Sequence, residues 1–176
     1  MDIIIRQEEE KDYKDVESLI EEAFRNEEYS DHREHLLVNR LRKGDAFIKE
    51  LSLVAECEGV ILGHIMLTKI NIKGESGSVE ALALAPVSVI PSHQRKGIGS
   101  RLIKESIRIA KNLNYDSIIL LGHPEYYPRF GFNKASDYEI YPPFEVPDEC
   151  FMALELNENS LDRVNGTVVY SKEFME

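Results

Sequence analysis

Two glycines one residue apart, set among arginine and lysine, are the part of this sequence best suited to chemistry. The run Gln94-Arg95-Lys96-Gly97-Ile98-Gly99-Ser100 precedes a segment of helical periodicity, which predicts a turn opening onto a helix. The first main-chain N–H groups of a helix lack intrahelical acceptors and lie at the positive end of its dipole. Glycines let a ligand approach that backbone closely, so a phosphate suits the place. The run lacks the GxxxxGK[ST] pattern of a nucleotide-triphosphate loop. Leu102 also stands where a dinucleotide loop would carry its third glycine.

Charge singles out the same region. The 176 residues carry a net charge of −11, whereas residues 94–111 hold six basic side chains against the single acid Glu105, a local +5 that leaves −16 for the rest. Positive potential is therefore concentrated around one turn and one helix. The acidic remainder argues against a general affinity for nucleic acid, whose backbone needs a basic face. No long uncharged apolar run is present, so no membrane partner is expected. Residues 1–10 lack the basic, apolar and small-residue sections of a signal peptide, and the expected location is cytoplasmic. Cys57 and Cys150 lie outside any CxxC pattern and are expected as two reduced thiols. His32 and His35 sit one helical turn apart without a third ligand in view, so no metal is expected.

The elements that must position the turn follow from periodicity. Ile3 and Ile5 alternate as a first strand would. Val16, Leu19, Ile20, Ala23 and Phe24 keep the spacing of one helical face, with Asp12 as its cap. A second helix is expected from Ser30 to Arg42, burying Leu36, Leu37 and Leu41 and stopping at Gly44. From Leu53 the period becomes two, and Glu58-Gly59 predicts the turn of a hairpin whose second arm holds Ile61, Gly63, Ile65 and Leu67. A strand from about Val79 changes parity between Leu84 and Val87, which predicts a β-bulge near Ala85-Pro86. Residues 98–113 form an amphipathic helix with Ile98, Leu102, Ile103, Ile109, Ala110 and Leu113 inside and Arg101, Lys104, Arg108 and Lys111 outside. Residues 116–121 are nearly all apolar, as in a buried parallel strand reached by a right-handed crossover. Residues 151–156 and 167–170 read as late strands, and the proline-rich stretch 141–147 as a loop packed over something apolar.

Two landmarks, Val87-Ser88-Val89-Ile90-Pro91 leading to Gln94-x-x-Gly97-x-Gly99, and Tyr126-Tyr127-Pro128-Arg129-Phe130-Gly131-Phe132, resemble the GCN5-related N-acetyltransferase superfamily, and within it a small bacterial and archaeal branch. The resemblance covers residues 3–132. It implies an α/β (α+β) fold: a mixed central β-sheet with a bulged fourth strand, flanked by helices in the order β-α-α-β-β-β-α-β-α-β. A length of 176 residues fits one domain, expected over residues 1–176 with a core to 133 and C-terminal strands and loop from 134. The activity implied is transfer of an acetyl group from acetyl-CoA to the amine of a small molecule or peptide by direct attack. The main chain of Val87, Ser88 and Val89 would then run beside the pantetheine arm. Gln94, Arg95, Lys96, Gly97, Ile98, Gly99, Ser100 and Arg101 would hold the pyrophosphate, with Gln94 as a loop former. The resemblance is compatible with a homodimer.

Tyr127 matches the family tyrosine that protonates the departing thiolate, and Tyr126 competes for that position. A protonated amine must lose a proton before attacking, which calls for a base. Many relatives carry a glutamate on the fifth strand, where this sequence has Ile118 to Leu121. Glu80, at the start of the bulged strand, and His123, just past the fifth, are the remaining candidates. The missing acid also keeps open a second class of protein, a non-catalytic acyl-CoA sensor or interaction module built on the same fold.

Overall fold

The computed structural model describes residues 1–176, and the chain divides into two compact units. The first comprises Met1–Thr68, Ala85–Ile109 and Glu176, the second Lys69–Leu84 and Ala110–Met175. The strands are β1 (Ile4–Gln7), β2 (Phe47–Cys57), β3 (Val60–Gly74), β4 (Gly77–Val89), β5 (Ser117–Leu121), β6 (Asn133–Lys134), β7 (Ile140–Tyr141), β8 (Phe151–Glu155) and β9 (Gly166–Val169). The helices are α1 (Tyr13–Phe24), α2 (Glu34–Arg42) and α3 (Ile98–Asn112). The strands hydrogen-bond in the order β1-β2-β3-β4-β5-β8-β6, and β9 joins β3 and β7. This is a mixed α/β fold: β5 runs parallel to β4, and most other pairs are antiparallel.

In the first unit, Val16, Leu19 and Ile20 of α1 are buried, as their spacing requires. Asp12 does occupy the N-cap position of α1, but its carboxylate makes no cap hydrogen bond there. It accepts instead from the Glu9 N–H at 2.8 Å and from both Arg6 terminal nitrogens at 2.7 and 2.9 Å. The preceding turn has taken the cap for itself. Helix α2 starts at Glu34 rather than Ser30, and its buried side chains are Val38 and Leu41, while Leu36 is exposed. Ser30 Oγ donates to the Glu34 carboxylate, and the left-handed φ of His32 (+59°) keeps the helix from starting earlier.

A buried polar cluster joins α2 to β2 and β3. Arg42 meets Glu8 at 2.6 Å with both side chains almost fully enclosed, and its guanidinium lies 4.0 Å from the Tyr13 ring centroid. Ser52 Oγ donates to Glu8 at 2.8 Å and stands 3.2 Å from His64 Nε2. The Glu58-Gly59 hairpin turn has both residues at positive φ, +49° and +82°. The sheet irregularities of the hairpin fall between Phe47 and Ser52 and between Ala55 and Glu56 of β2. At the Ala85-Pro86 position, where the sequence pattern changes phase, the peptide bond is cis.

In the second unit, Ile72, Ala81, Ala83, Ile119, Phe151 and Val168 form the centre of an apolar core. β4 pairs with β5 at Leu82↔Ile118 and Ala83↔Ile119, and β5 pairs with β8 along its length. Leu121 is exposed at the end of β5, unlike the rest of that apolar run, and Leu113 is exposed just past α3. No α-helix follows β5. The expected helix is replaced by two 3-10 turns, Tyr127–Phe130 and Ala135–Tyr138. The left-handed Gly131 (φ +102°) caps the first and ends it. Within the 141–147 loop, Phe144 stacks on Tyr170 and meets Phe151 edge-on, so it does cover an apolar surface.

Candidate functional site

In the first unit the Gln94–Ser100 segment forms an open turn at the head of α3. Arg95 and Gly97 both have positive φ, +64° and +82°, and they swing the backbone around so that α3 begins at Ile98. The first helical bond runs from the Arg101 N–H to the Gly97 carbonyl at 3.1 Å. The N–H groups of Ile98, Gly99 and Ser100 therefore have no intrahelical acceptor and face out of the helix end. Nothing lies within 4 Å of where a Cβ on Gly97 would stand, so the space over the turn is open. Arg95 and Lys96 are exposed beside it. Arg101 is committed elsewhere in part, since its guanidinium donates to the Ile3 carbonyl at 2.9 Å. Gln94 does more than form a loop: its side-chain amide donates to the Val89 carbonyl at 3.1 Å.

Val87 and Val89 are half-buried and Ser88 is buried, its hydroxyl without a hydrogen-bond partner. The Ile90 N–H donates to the Leu62 carbonyl at 2.9 Å, which fixes the end of β4 beside β3. Gly63 keeps that approach close. A Cβ there would stand 3.0 Å from Leu102 Cδ1, 3.1 Å from the Ser88 carbonyl oxygen and 3.2 Å from Ile98 Cγ2. Thus β4 and the first turn of α3 are packed through a glycine that periodicity marks only as a strand residue.

In the second unit Tyr127 is buried, with 8% of its surface left exposed. Its ring lies edge-on to Tyr126 at 5.1 Å and to Phe132 at 5.9 Å. Burial pushes its phenol up to about 12, with the neighbouring Tyr126 adding to the rise. Tyr126 is held differently, with Arg129 stacked 4.4 Å over its ring and bonded to its carbonyl at 2.9 Å. The His123 carbonyl accepts from the Tyr126 N–H at 3.2 Å and the Tyr127 N–H at 3.5 Å, while the His123 ring is exposed.

Glu80 is exposed and does not join this group. It precedes Leu82, which pairs with Ile118, so the parallel register sets Glu80 level with the start of β5. The turn bearing His123 and Tyr127 follows the other end of that strand, about 16 Å along at the usual strand rise. Glu80 and the turn bearing Tyr127 therefore lie toward opposite ends of β5. No group of three His, Cys, Asp or Glu side chains is arranged to hold a metal ion. His32 Nδ1 donates to the Phe24 carbonyl at 2.8 Å, and His35 Nε2 lies 4.0 Å from Glu21. Cys57 and Cys150 are free, and no helix is long and apolar enough to cross a membrane.

The mixed sheet and its helices have counterparts among known proteins. The profile of the acetyltransferase (GNAT) domain matches residues 4–135, and the chain belongs to the GNAT acetyltransferase family. It is 38% identical over 124 residues to the uncharacterized N-acetyltransferase YjhQ of Escherichia coli, covering 68% of each chain. A GNAT family acetyltransferase from Brucella melitensis, solved in complex with acetyl-CoA, is 33% identical with a TM-score of 0.82 over 98% of both chains. The E. coli N-acetyltransferase YhbS, solved with CoA, shares the fold at a TM-score of 0.88 and 24% identity, over 99% of this chain and 92% of its own.

Proposed function

We propose that this protein is an acetyl-CoA-dependent N-acetyltransferase that transfers an acetyl group to a primary amine by direct attack in a ternary complex. The observation that carries the reading is the Gly97 turn, whose positive φ frees the N–H groups of Ile98, Gly99 and Ser100 beneath open space. A diphosphate fits that donor set, and Arg95 and Lys96 add local positive charge that salt would weaken. The Brucella relative's bound acetyl-CoA supports the same assignment. The main chain of Val87 to Val89 is the segment that would align the pantetheine arm.

Tyr127 is the proton donor in this reading. An amine nitrogen attacks the thioester carbonyl, the carbon–sulfur bond breaks with its electrons on sulfur, and the Tyr127 hydroxyl gives that sulfur a proton. The phenolate is then restored from water. A phenol raised to about 12 by burial stays protonated across the neutral range, as a donor must. Glu80, toward the other end of β5, and His123, beside the Tyr127 turn, are the candidates for accepting the amine's proton, directly or through water.

The absence of an acid on β5 favours one alternative, an acyl-CoA sensor without turnover. Calorimetric titration with acetyl-CoA at low ionic strength, followed by thiol release across polyamines, amino acids, aminoglycosides and peptides, separates the two. The transferase reading expects micromolar-range binding and release with at least one amine. Binding without release under every amine supports the sensor, and no binding removes both.

A further inference from the structure

Gly122 lies between the end of β5 and the Tyr126-Tyr127 turn, and its backbone does not require glycine, since it is absent from the residues at positive φ. What requires glycine is the space its side chain would take. A Cβ at this position would collide with Cε2 of the Tyr127 ring, stand 2.9 Å from its Cδ2 and lie 3.3 Å from Leu120 Cδ1. Neither side can retreat easily. The Gly122 N–H is tied to the Cys150 carbonyl at 2.8 Å, and the Tyr126 and Tyr127 N–H groups are tied to the His123 carbonyl. The ring itself is enclosed by Tyr126, Phe130 and Phe132, with centroids 5.1, 6.4 and 5.9 Å away.

We infer that Gly122 is a positioning residue: the missing side chain is the seat of the Tyr127 ring and fixes where its hydroxyl is presented. The inference rests on the reading of Tyr127 as the proton donor, but its geometry stands without it. A methyl group at residue 122 must displace the ring, because the ring edge already fills the volume that the methyl would take. A displaced hydroxyl loses its alignment with a leaving atom, and misplacement by about 1 Å can cost on the order of 100-fold in rate.

The experiment is a double-mutant cycle on the full chain with Gly122→Ala and Tyr127→Phe, measuring kcat, acetyl-CoA affinity and the near-ultraviolet titration of the tyrosines. Gly122→Ala is expected to lower kcat at least about tenfold with acetyl-CoA affinity within about twofold, and to cause no further loss in the Tyr127→Phe background. Tyr127 and Tyr170 are both raised to about 12 by burial, and the one of these two titrations that is missing in Tyr127→Phe should also move down as the ring leaves its enclosure. An unchanged kcat and titration in a folded Gly122→Ala protein overturns the inference, as does a multiplicative loss when the two substitutions are combined. If Tyr127→Phe alone leaves kcat unchanged, the donor reading fails, while a shifted titration in Gly122→Ala still supports the seat. Should Gly122→Ala unfold the chain, the Gly122→Ala/Tyr127→Ala pair must regain folding. Failure to do so overturns the inference as well.

Discussion

The side-chain amide of Gln94 reaches back five residues to the main-chain carbonyl of Val89 and closes the segment between them into a clasp at 3.1 Å. One end of the clasp is the strand that would line the pantetheine arm, and the other is the turn that would hold the diphosphate. Their relative placement therefore depends on one amide. An exposed neutral hydrogen bond contributes about 0.5–1.5 kcal/mol. Gln94→Ala is accordingly expected to weaken acetyl-CoA binding about three- to tenfold by calorimetry, with kcat at saturation nearly unchanged. An unaltered dissociation constant would show that the turn holds its shape alone.

Gly97 separates two effects that a sequence cannot. At φ +82° any L-residue is strained, yet the space around its Cβ position is empty. Gly97→Ala should therefore weaken acetyl-CoA binding only by the conformational cost, roughly 1–2 kcal/mol or about five- to thirtyfold. Gly97→Asp adds a negative charge where a diphosphate would sit, and it should abolish measurable binding. Equal affinities for the two variants, read by titration, would count against an anion at this turn.

The contrast between these residues and the rest of the site explains what is legible in the sequence. The 94–101 turn is readable because its glycines, basic residues and helix start are contiguous, and the Glu58-Gly59 hairpin for the same reason. Leu36, Leu113 and Leu121 belong inside by periodicity and are exposed, since each stands at an element end or on a helix whose start lies four residues later than expected. The two-residue strands β6 and β7 carry no periodic signal. Gly122, Gly63 and the Glu8–Arg42–Ser52–His64 cluster escape a sequence reading, because their meaning lies in contacts that only the folded chain creates. A glycine in an ordinary backbone region looks like any strand or loop glycine until the neighbouring ring is placed.

Tyr127 is tested by removing one oxygen. Tyr127→Phe keeps the ring that fills the space over Gly122 and the contacts with Tyr126 and Phe132, so folding should be preserved. Loss of the proton donor is expected to lower kcat by roughly 10²–10⁴-fold while acetyl-CoA affinity stays within about twofold. Because burial raises the phenol to about 12, the wild-type rate should show no loss attributable to this group from neutral pH to about pH 11. A fall in rate centred near 10 that vanishes in Tyr127→Phe would place the catalytic hydroxyl in a more exposed setting than the one observed.

His64 provides a prediction about stability and pH. Ser52 donates its only hydroxyl proton to Glu8 at 2.8 Å, so its oxygen is left to accept from His64 Nε2–H at 3.2 Å. His64 Nδ1 then carries the lone pair, and it is buried without a partner. Protonation would place a cation in a fully enclosed site beside Arg42. Burial lowers the imidazole from 6.5 to about 4, with Glu8 opposing the shift and Arg42 reinforcing it. The unfolded chain thus binds a proton at this histidine before the folded one does, and stability must fall as pH drops from 6.5 to about 4. The loss amounts to about 3 kcal/mol at the lower end. Asp12 acts in a separate window: its carboxyl, held below 3.8 chiefly by Arg6, gives up its contribution only under more acid conditions. Urea denaturation between pH 7 and pH 4 should therefore show a decline that is about 3 kcal/mol smaller in His64→Gln, where no proton is taken up. Parallel curves for the two proteins would mean that the imidazole can be charged in place, with Glu8 compensating it more fully than the enclosed geometry implies.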